Sequence, residues 1–530
     1  MARDGHVDEA GSGGAPGGLT RHRTPLRDNL EWIAFIVLVV LVVRQMVVEA
    51  FRIQHGSMAP TLLGIHKEIR CPNCDRVFDV GEARIGPGGQ VQCSNCDYHW
   101  EGAGTYGEDG EPLRFRRPSS LGWLWNSATT DNGTPLRPAD AANRIRRDAC
   151  RIFVNKFIYQ LRKPRRWEVV VFQYPVFSLR CRLCGWQGET ESLEDAVCPD
   201  CGSQEFAVTT KDFIKRVAGL PGESVSLRNG DVYVGGQIAR KPRDIQKELW
   251  FHVFDSSFTP RQEVAPTWDF SAAPGRWQSS PQDGTLRVDA RGARSPVMGS
   301  FARRIVDFYP YDGLRYDPER VLTSASGRNE VGDCRIKAEV RVEDQGQTGA
   351  EVLLSVDDDG HRFAFSVSAG SRGRAVLMDN GETVRETDVG ELNLREPMQV
   401  ALENYDDRVV CWLRGSELFS LDYEPRPSSR HGVHFGGRGA RVVWDRLVIE
   451  RDVYYTNPPA EAGRLPVYRL GDDEYFVLGD NSPASSDSRR WNRPGVPEHK
   501  LIGKAFFVFW PVHRMKWLAG GLLGPAPEDG

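Results

Sequence analysis

The apolar positions of the chain fall mostly into short runs that alternate with polar residues or are continuous over three or four positions. Examples are 169–172 (Val-Val-Val-Phe), 232–234 and 475–478, each close to Gly, Pro, Asn or Asp. Runs of this length with such borders predict β-strands. The dipeptide at 229–230, Asn-Gly, lies between two such runs and predicts a tight hairpin turn. The pattern therefore predicts a mainly β protein.

The stretch 243–466 alternates most regularly, for example at 334–342, 351–356 and 362–367, with turn residues between the runs. This pattern predicts a β-sandwich inserted into the remaining framework. It resembles concanavalin-like or laminin-G-like sandwiches.

One segment has a different pattern. Trp32–Val43 is an unbroken apolar run, and residues 30–50 are long enough for a helix that spans the hydrocarbon core. A cleavable signal peptide fits less well, because the polar residues 1–29 precede the run and no small-x-small site follows it closely. The basic residues just before the run are Arg21, His22, Arg23 and Arg27. They predict a cytoplasmic N-terminus, with everything after about residue 50 on the extracytoplasmic side. Residues 1–29 are rich in Gly, Arg and Asp and are expected to be disordered.

Composition adds little to this picture. The 530 residues are 40% hydrophobic and 26% charged, with a formal net charge of −4. The length predicts several domains. The charge balance gives no reason to expect a nucleic-acid partner.

Eight of the eleven cysteines form Cys-x-x-Cys pairs in two groups, and each group has the ligand set of a zinc ribbon. The first group is Cys71, Cys74, Cys93 and Cys96, and the second is Cys181, Cys184, Cys198 and Cys201. Structural zinc is the favoured interpretation, and disulfides are the alternative in an oxidising compartment. Cys150, Cys334 and Cys411 are isolated and are expected to be buried.

Three further segments carry candidate chemistry. Directly after the apolar run comes Gly56-Ser57-Met-Ala-Pro-Thr-Leu62. Gly56 is expected to let the backbone approach a scissile carbonyl, although an ordinary Gly-Ser turn is the alternative.

The second segment is Phe213-Ile-Lys215-Arg-Val-Ala-Gly-Leu-Pro-Gly222. A lysine can accept a proton at neutral pH only if burial lowers its pKa, and otherwise this is a surface Lys-Arg pair. The third is Gly479-Asp-Asn-Ser-Pro-Ala-Ser-Ser-Asp-Ser-Arg489.

Together, these three segments resemble the type I signal peptidases in sequence and in order. The resemblance implies that Ser57 is the nucleophile and Lys215 the general base. It implies that Ser485 orients the lysine amine and that Asp487 and Arg489 form a supporting ion pair. A Ser-rich turn is the alternative for the third segment.

The resemblance also implies a substrate site, and the chain departs from the family pattern at one position. Some members place a serine two positions before the nucleophile to complete the oxyanion hole, and here that position is His55. The imidazole is either a substitute donor or an exposed bystander. The family cleaves after small side chains in an Ala-x-Ala pattern. The positions that match its shallow apolar pockets are Phe51, Ile53, Leu62 and Ile214.

The expected architecture is mainly β: a signal-peptidase-like β-barrel core, one N-terminal transmembrane helix, two zinc-ribbon-like insertions and the sandwich. The expected bounds are 51–63, 146–175, 209–242 and 467–518 for the core, 64–145 and 176–208 for the ribbons, 243–466 for the sandwich and 519–530 for a tail.

The expected function is that of a membrane-anchored serine endopeptidase, signal peptidase I, which acts on preprotein signal peptides with no catalytic cofactor. Membrane lipid is an expected partner, and the sandwich is a candidate site for a protein or glycan. Two alternatives are a membrane-tethered binding or scaffold protein on a decayed peptidase frame and a self-cleaving repressor-type Ser/Lys protease. The intact Ser57, Lys215 and Ser485 oppose the first, and the apolar span opposes the second.

Overall fold

The computed structural model describes residues 29–38, 47–81, 90–100, 147–190, 193, 196–315, 326–345, 349–426, 430–458 and 465–523. They divide into two compact units between Glu49 and Ala50.

In the first unit, residues 29–38 are helical, and residues 39–46 of the predicted anchor lie outside the described residues. Among the described residues, no helix has both the length and the apolar character needed to cross a bilayer. The predicted anchor 30–50 also overlaps a strand, Val48–Arg52. A strand there is consistent with the β-branched Val48 at its start.

The largest framework sheet has nine strands, and the three candidate segments lie in its strands or in the turns that follow them. Seven strands follow one another in the order Val48–Arg52, Arg151–Asn155, Leu501–Trp510, Val169–Cys181, Phe206–Gly219, Glu474–Leu478 and Gly495–Pro497. Lys516–Trp517 pairs with Leu501–Trp510, and Gln187–Thr190 pairs with Val169–Cys181. Separate apolar clusters pack on the sheet, and one of them includes Met58, Leu62 and Val171.

A second framework sheet has four strands, in the order Gln237–Ile238, Asp231–Val234, Ser224–Arg228 and Val467–Arg469. Asn229 and Gly230 join two of them with φ angles of 49° and 100°. Positive φ at both positions is what a tight hairpin of this kind requires, so the predicted turn is confirmed.

Two further sheets face each other across one apolar core, which is the arrangement of a β-sandwich. The first sheet consists of Trp277–Ser280, Thr285–Asp289, Ala440–Arg451, Cys334–Gln345, Met398–Tyr405, Arg408–Leu413 and Ser416–Asp422, with Phe251–Asp255 paired to Ala440–Arg451. The second consists of Trp268–Asp269, Val297–Phe301, Gly432–Arg438, Glu351–Asp358, His361–Ser368, Gly370–Asp379 and Glu382–Leu392.

The sandwich strands occupy less than the expected stretch 243–466. They begin at Phe251 and end at Arg451. Ile245 and Tyr455, inside the expected bounds, pack instead against the framework cluster that contains Val225 and Leu478. Their apolar side chains are buried there, so the connections to the sandwich belong to the framework core.

The remaining elements are short. Around the first cysteine group lie His66–Arg70, Val77–Gly81 and Arg147–Asp148 in one sheet and Val91–Gln92 with His99–Trp100 in another. The described second unit has short α-helices at Ile158–Leu161 and Arg243–Gln246. Its 3-10 turns include Gly56–Met58, Pro310–Asp312, Ser482–Ala484, Glu498–Lys500 and Val512–Arg514.

Candidate active site

Ser57 lies in the 3-10 turn Gly56–Met58, which begins four residues after the end of the strand Val48–Arg52. Its Oγ lies 2.8 Å from Nζ of Lys215, a residue 158 positions away in sequence. Lys215 reaches this turn from the long strand Phe206–Gly219. The fold therefore brings the predicted hydroxyl and the predicted amine into hydrogen-bonding contact.

Lys215 is buried, with 3% of its surface exposed. Burial disfavours the ammonium form and lowers the pKa of Lys215 to about 8, although the charges of Asp487 and Asp480 oppose this shift. A substantial fraction of the amine is then neutral near pH 8, and a neutral amine has a lone pair that can accept the Ser57 proton.

The described hydrogen bonds of the amine differ from the expected one. Besides the Ser57 contact, Nζ of Lys215 donates to the carbonyl oxygen of Ile214 at 3.0 Å. Ser485, which was expected to orient the amine, is buried close to Gly479 and Asp487. Within the described residues, its Oγ has no hydrogen-bond partner of normal geometry. The described hydrogen bonds of the amine are therefore those to Ser57 and Ile214, and the orienting role of Ser485 stays a prediction.

Asp487 and Arg489 form the expected ion pair. Two parallel contacts join them, from Nε to Oδ1 at 2.8 Å and from Nη2 to Oδ2 at 2.6 Å. Burial is the largest influence and would raise the pKa of Asp487, but the Arg489 charge together with hydrogen bonds from Arg489 and the Gly479 N–H holds that pKa below its usual value. The Gly479 N–H also donates to Asp487 at 3.0 Å, so the pair fixes the start of the third segment.

A second buried ion pair was missed by the sequence analysis. Arg216 donates from Nε and Nη2 to the two carboxylate oxygens of Asp480, each at 2.8 Å. Both side chains are buried. The pair ties the strand of Lys215 to the third segment, and it could have been suspected because each member lies inside a recognised motif. Asn481 was missed too, and its N–H donates to the Ser57 carbonyl at 3.0 Å.

The four residues expected to line the substrate pockets fall into two groups. Phe51 and Ile214 are partly exposed and pack against the apolar cluster that holds the Ser57 turn. Ile53 and Leu62 are buried in that cluster, so they are core residues. His55 is exposed at the start of the turn and makes no side-chain cap to it.

The two cysteine groups each form a compact cluster of four sulfur atoms. We call Cys71, Cys74, Cys93 and Cys96 the first cluster and Cys181, Cys184, Cys198 and Cys201 the second cluster. Sulfur atoms of opposite pairs are 3.6 and 3.7 Å apart in the first cluster and 3.5 Å apart in the second.

These separations are too long for a disulfide of about 2.0 Å. They are close to the ~3.8 Å spacing of four sulfur atoms around a tetrahedral metal with ~2.3 Å bonds. Either cluster could therefore hold a metal ion. Cys150, Cys334 and Cys411 are buried, as predicted.

The described side chains thus place a partly buried hydroxyl, a buried amine of lowered pKa and two buried ion pairs in one site. Residues 142–266 and 449–510 match the family model described as signal peptidase, peptidase S26. Over these two ranges the chain is similar to the peptidase S26 family. The matched residues include Lys215, Ser485, Asp487 and Arg489, whereas Ser57 lies outside them.

Parts of the chain are also similar to curated signal peptidases. "Probable signal peptidase I-2" of Synechocystis is 51% identical over 63 residues, which are 12% of this chain and 27% of that protein. "Signal peptidase I" of Leptolyngbya laminosa is 35% identical over 92 residues, 17% of this chain and 39% of that protein. The chain thus spans between a quarter and two fifths of the length of these relatives.

A solved carbohydrate-binding module, CBM66 from Bacillus subtilis, is 13% identical with a TM-score of 0.23, covering 35% of this chain and 97% of its own. That likeness is too weak to assign a fold or a ligand.

Proposed function

We propose that this chain is a signal peptidase I, a serine endopeptidase that removes N-terminal signal peptides from exported preproteins. The observation that carries the proposal is the 2.8 Å contact between Ser57 Oγ and Lys215 Nζ. Lys215 lies within the residues that match the family model, and Ser57 lies outside them. The contact between the two side chains therefore supports the dyad independently of that match. The family and its curated relatives support the same activity.

The proposed mechanism uses the neutral amine of Lys215 as general base. Nζ accepts the proton of the Ser57 hydroxyl as Oγ attacks the scissile carbonyl carbon. The tetrahedral intermediate collapses, the lysine ammonium gives its proton to the leaving amine, and the signal peptide remains as an ester on Ser57. A water molecule, deprotonated by the same amine, then hydrolyses the ester and regenerates the free hydroxyl.

The substrate is proposed to have small side chains in an Ala-x-Ala pattern before the cleaved bond. Phe51 and Ile214 remain partly exposed against the cluster of the Ser57 turn, which suits a shallow apolar pocket. Ile53 and Leu62 are buried and would shape the pocket only from behind. His55 is exposed next to the turn and is the proposed extra donor of the oxyanion hole.

A membrane anchor is proposed for the N-terminal segment, with the second unit on the extracytoplasmic side. The apolar side chains of residues 30–38 that are more than half exposed include Leu30, Trp32, Ile33, Phe35 and Leu38. A helix with apolar residues on every face is typical of a lipid environment. This placement would bring emerging preproteins and membrane lipid to the enzyme.

Structural zinc is proposed for both cysteine clusters, with no role in the reaction. All four ligand positions of each cluster are thiols, which leaves none for a water or a substrate. The residues that follow the knuckles, Asp75, Asp97, Gly185 and Gly202, all have positive φ. Each donates its N–H to the carbonyl of the first cysteine of its own knuckle. The four knuckles thus share one backbone geometry.

The test is cleavage of a preprotein with an Ala-x-Ala site by the purified full-length protein in detergent. Ser57→Ala and Lys215→Met are expected to lose at least about 1,000-fold in kcat/KM, because nucleophile and base act as a unit. Lys504→Met is a matched control, since Lys504 is also buried and burial also lowers its pKa to about 8. It should cleave at a rate close to that of the wild type.

Two outcomes would contradict the proposal. Normal cleavage by a folded Ser57→Ala or Lys215→Met variant would exclude the dyad. Absence of cleavage by the wild type on several preproteins would favour the alternative of a binding protein on a decayed peptidase frame.

A further inference from the structure

The Ser57 turn touches a segment that belongs to none of the three recognised motifs. This segment is the 3-10 turn Pro310–Asp312, which lies between the sandwich strands Val297–Phe301 and Cys334–Gln345. Tyr311 of this turn is 3% exposed and belongs to the same apolar cluster as Met58 and Leu62. An insertion in the sequence therefore reaches the core directly behind the proposed nucleophile.

Tyr311 packs against the residue that precedes Ser57. A methyl group added to Gly56 would lie 2.0 Å from Cε1 of Tyr311, and one added to Gly81 would lie 2.7 Å from the same atom. No side chain can occupy that space while the ring is present. Gly56 was expected to make room for a scissile carbonyl, but in the structure it makes room for Tyr311.

The next residue, Asp312, contacts the third motif. Asp312 is 8% exposed, and its Oδ1 accepts a hydrogen bond from Nδ2 of Asn481 at 2.8 Å. The backbone N–H of Asn481 donates to the Ser57 carbonyl oxygen at 3.0 Å. A methyl group on Gly479 would lie 2.5 Å from that oxygen, so the backbone of the third motif also packs on it. The Ser57 carbonyl is thus held by a chain of contacts that ends in the sandwich.

We infer that the Tyr311–Asp312 pair of the inserted sandwich positions the nucleophile of this enzyme. Tyr311 fixes the backbone before Ser57, and Asp312 fixes Asn481, which fixes the Ser57 carbonyl. The sandwich is in this respect part of the catalytic unit, and Tyr311 and Asp312 act through Ser57 without touching the substrate. The effect on rate rests on the proposed peptidase function, whereas the effect on the order of the turn does not.

The kinetic test uses full-length protein and one preprotein substrate. Tyr311→Ala removes the ring, and Asp312→Ala removes the acceptor of Asn481. Each should lower kcat by about 10- to 100-fold, because a displacement of the nucleophile on the order of 1 Å has an effect of this size. KM should change less than about twofold, since the groups that bind the peptide remain. Tyr311→Phe and Asp312→Asn keep the ring and an acceptor oxygen, so they should restore most of the lost rate.

The control is Phe419→Ala, which removes a ring of the sandwich core that is 8% exposed. It should lower thermal stability without lowering kcat of the folded enzyme. If folded Tyr311→Ala and Asp312→Ala cleave as fast as Phe419→Ala, the inference is overturned.

A readout without activity separates this inference from the proposed function. The amides of Ala59 and Leu62 donate to the carbonyls of Gly56 and Met58, so their hydrogen exchange reports the order of the turn. Exchange at both amides should be at least about tenfold faster in Tyr311→Ala than in Phe419→Ala. Equal exchange in the two variants would overturn the inference even if the wild type cleaves nothing.

Discussion

The two cysteine clusters have the same local geometry in very different surroundings. In the first cluster all four cysteines are buried, whereas Cys184 and Cys201 of the second cluster are exposed. The first cluster packs with Ile69, Phe78 and, from the sandwich, Phe258.

The second cluster lies at one end of two long paired framework strands, Val169–Cys181 and Phe206–Gly219, next to the short strand Gln187–Thr190. Leu183 and Val197 next to it are 74% and 52% exposed.

The difference in burial between the two clusters depends on one position in each Cys-x-x-Cys knuckle, which is the residue just before its second cysteine. In the first cluster these residues are Asn73 and Asn95, and each amide pairs with backbone of the sandwich side. Asn73 accepts from the Gln262 N–H at 2.9 Å and donates to the Gln262 carbonyl at 2.8 Å.

Asn95 accepts from the Asp255 N–H at 2.7 Å and donates to the Phe258 carbonyl at 2.9 Å. In the second cluster the same positions hold Leu183 and Asp200, which are exposed. A Cys-x-x-Cys motif therefore specifies its own loop, and its neighbours decide whether that loop becomes part of the core.

The largest effect is expected from breaking the first cluster. Cys93→Ser should release one of two zinc ions and lower the free energy of unfolding by about 4 kcal/mol or more, because metal ligation and the packing around it are lost together. Metal analysis and urea unfolding of the purified protein measure both quantities. A loss no larger than that of Cys201→Ser would contradict the contrast between the clusters.

The next effect concerns the contact between the first cluster and the sandwich. Asn95→Ala leaves the Asp255 N–H and the Phe258 carbonyl without their partner, which should cost about 2–3 kcal/mol. Both zinc ions should remain bound, since the thiols are untouched. Asp200→Ala, at the same knuckle position of the second cluster, is the matched control, and equal unfolding midpoints for the two variants would disprove the role of Asn95.

A smaller and local effect is expected from the second cluster. Cys201→Ser should release one zinc ion and make the segment 176–208 more sensitive to limited proteolysis, because little of the core rests on this cluster. The free energy of global unfolding should change by less than about 1 kcal/mol. If the main unfolding transition instead moved as far as in Cys93→Ser, the second cluster would have to be integral to the core.

The smallest effect is expected at the exposed knuckle residue of the second cluster. Leu183→Ser should alter the free energy of unfolding by no more than about 0.5 kcal/mol, since the side chain is 74% exposed. Differential scanning calorimetry together with metal analysis would detect a larger change, which would indicate that this side chain is buried by a contact in solution.

The sequence predicted the parts of the site that depend on local motifs. Ser57 and Lys215 were assigned from short segments and meet at 2.8 Å, and the ion pair of Asp487 and Arg489 is present. The mainly β character and the Asn229-Gly230 hairpin also follow from local patterns and are confirmed. Each of these residues lies in a motif or pattern that is short in sequence, even where the contact itself, as between Ser57 and Lys215, joins distant segments.

The features that were missed depend on residues far apart in sequence. Tyr311 and Asp312 lie in the insertion, more than 250 positions from Ser57, and no motif marks them. Leu62 lies in a motif, but its burial depends on strands that are distant in sequence.

The most direct test of the central claim is the pH dependence of kcat/KM for a preprotein. Protonated Lys215 cannot accept the Ser57 proton, and burial places its pKa at about 8. The rate should therefore be low below pH 7 and rise with pH to a plateau, with a midpoint near 8. A midpoint near the ordinary lysine value of about 10.4, or a rate that does not depend on pH between about 6 and 10, would contradict the assignment of Lys215 as the base.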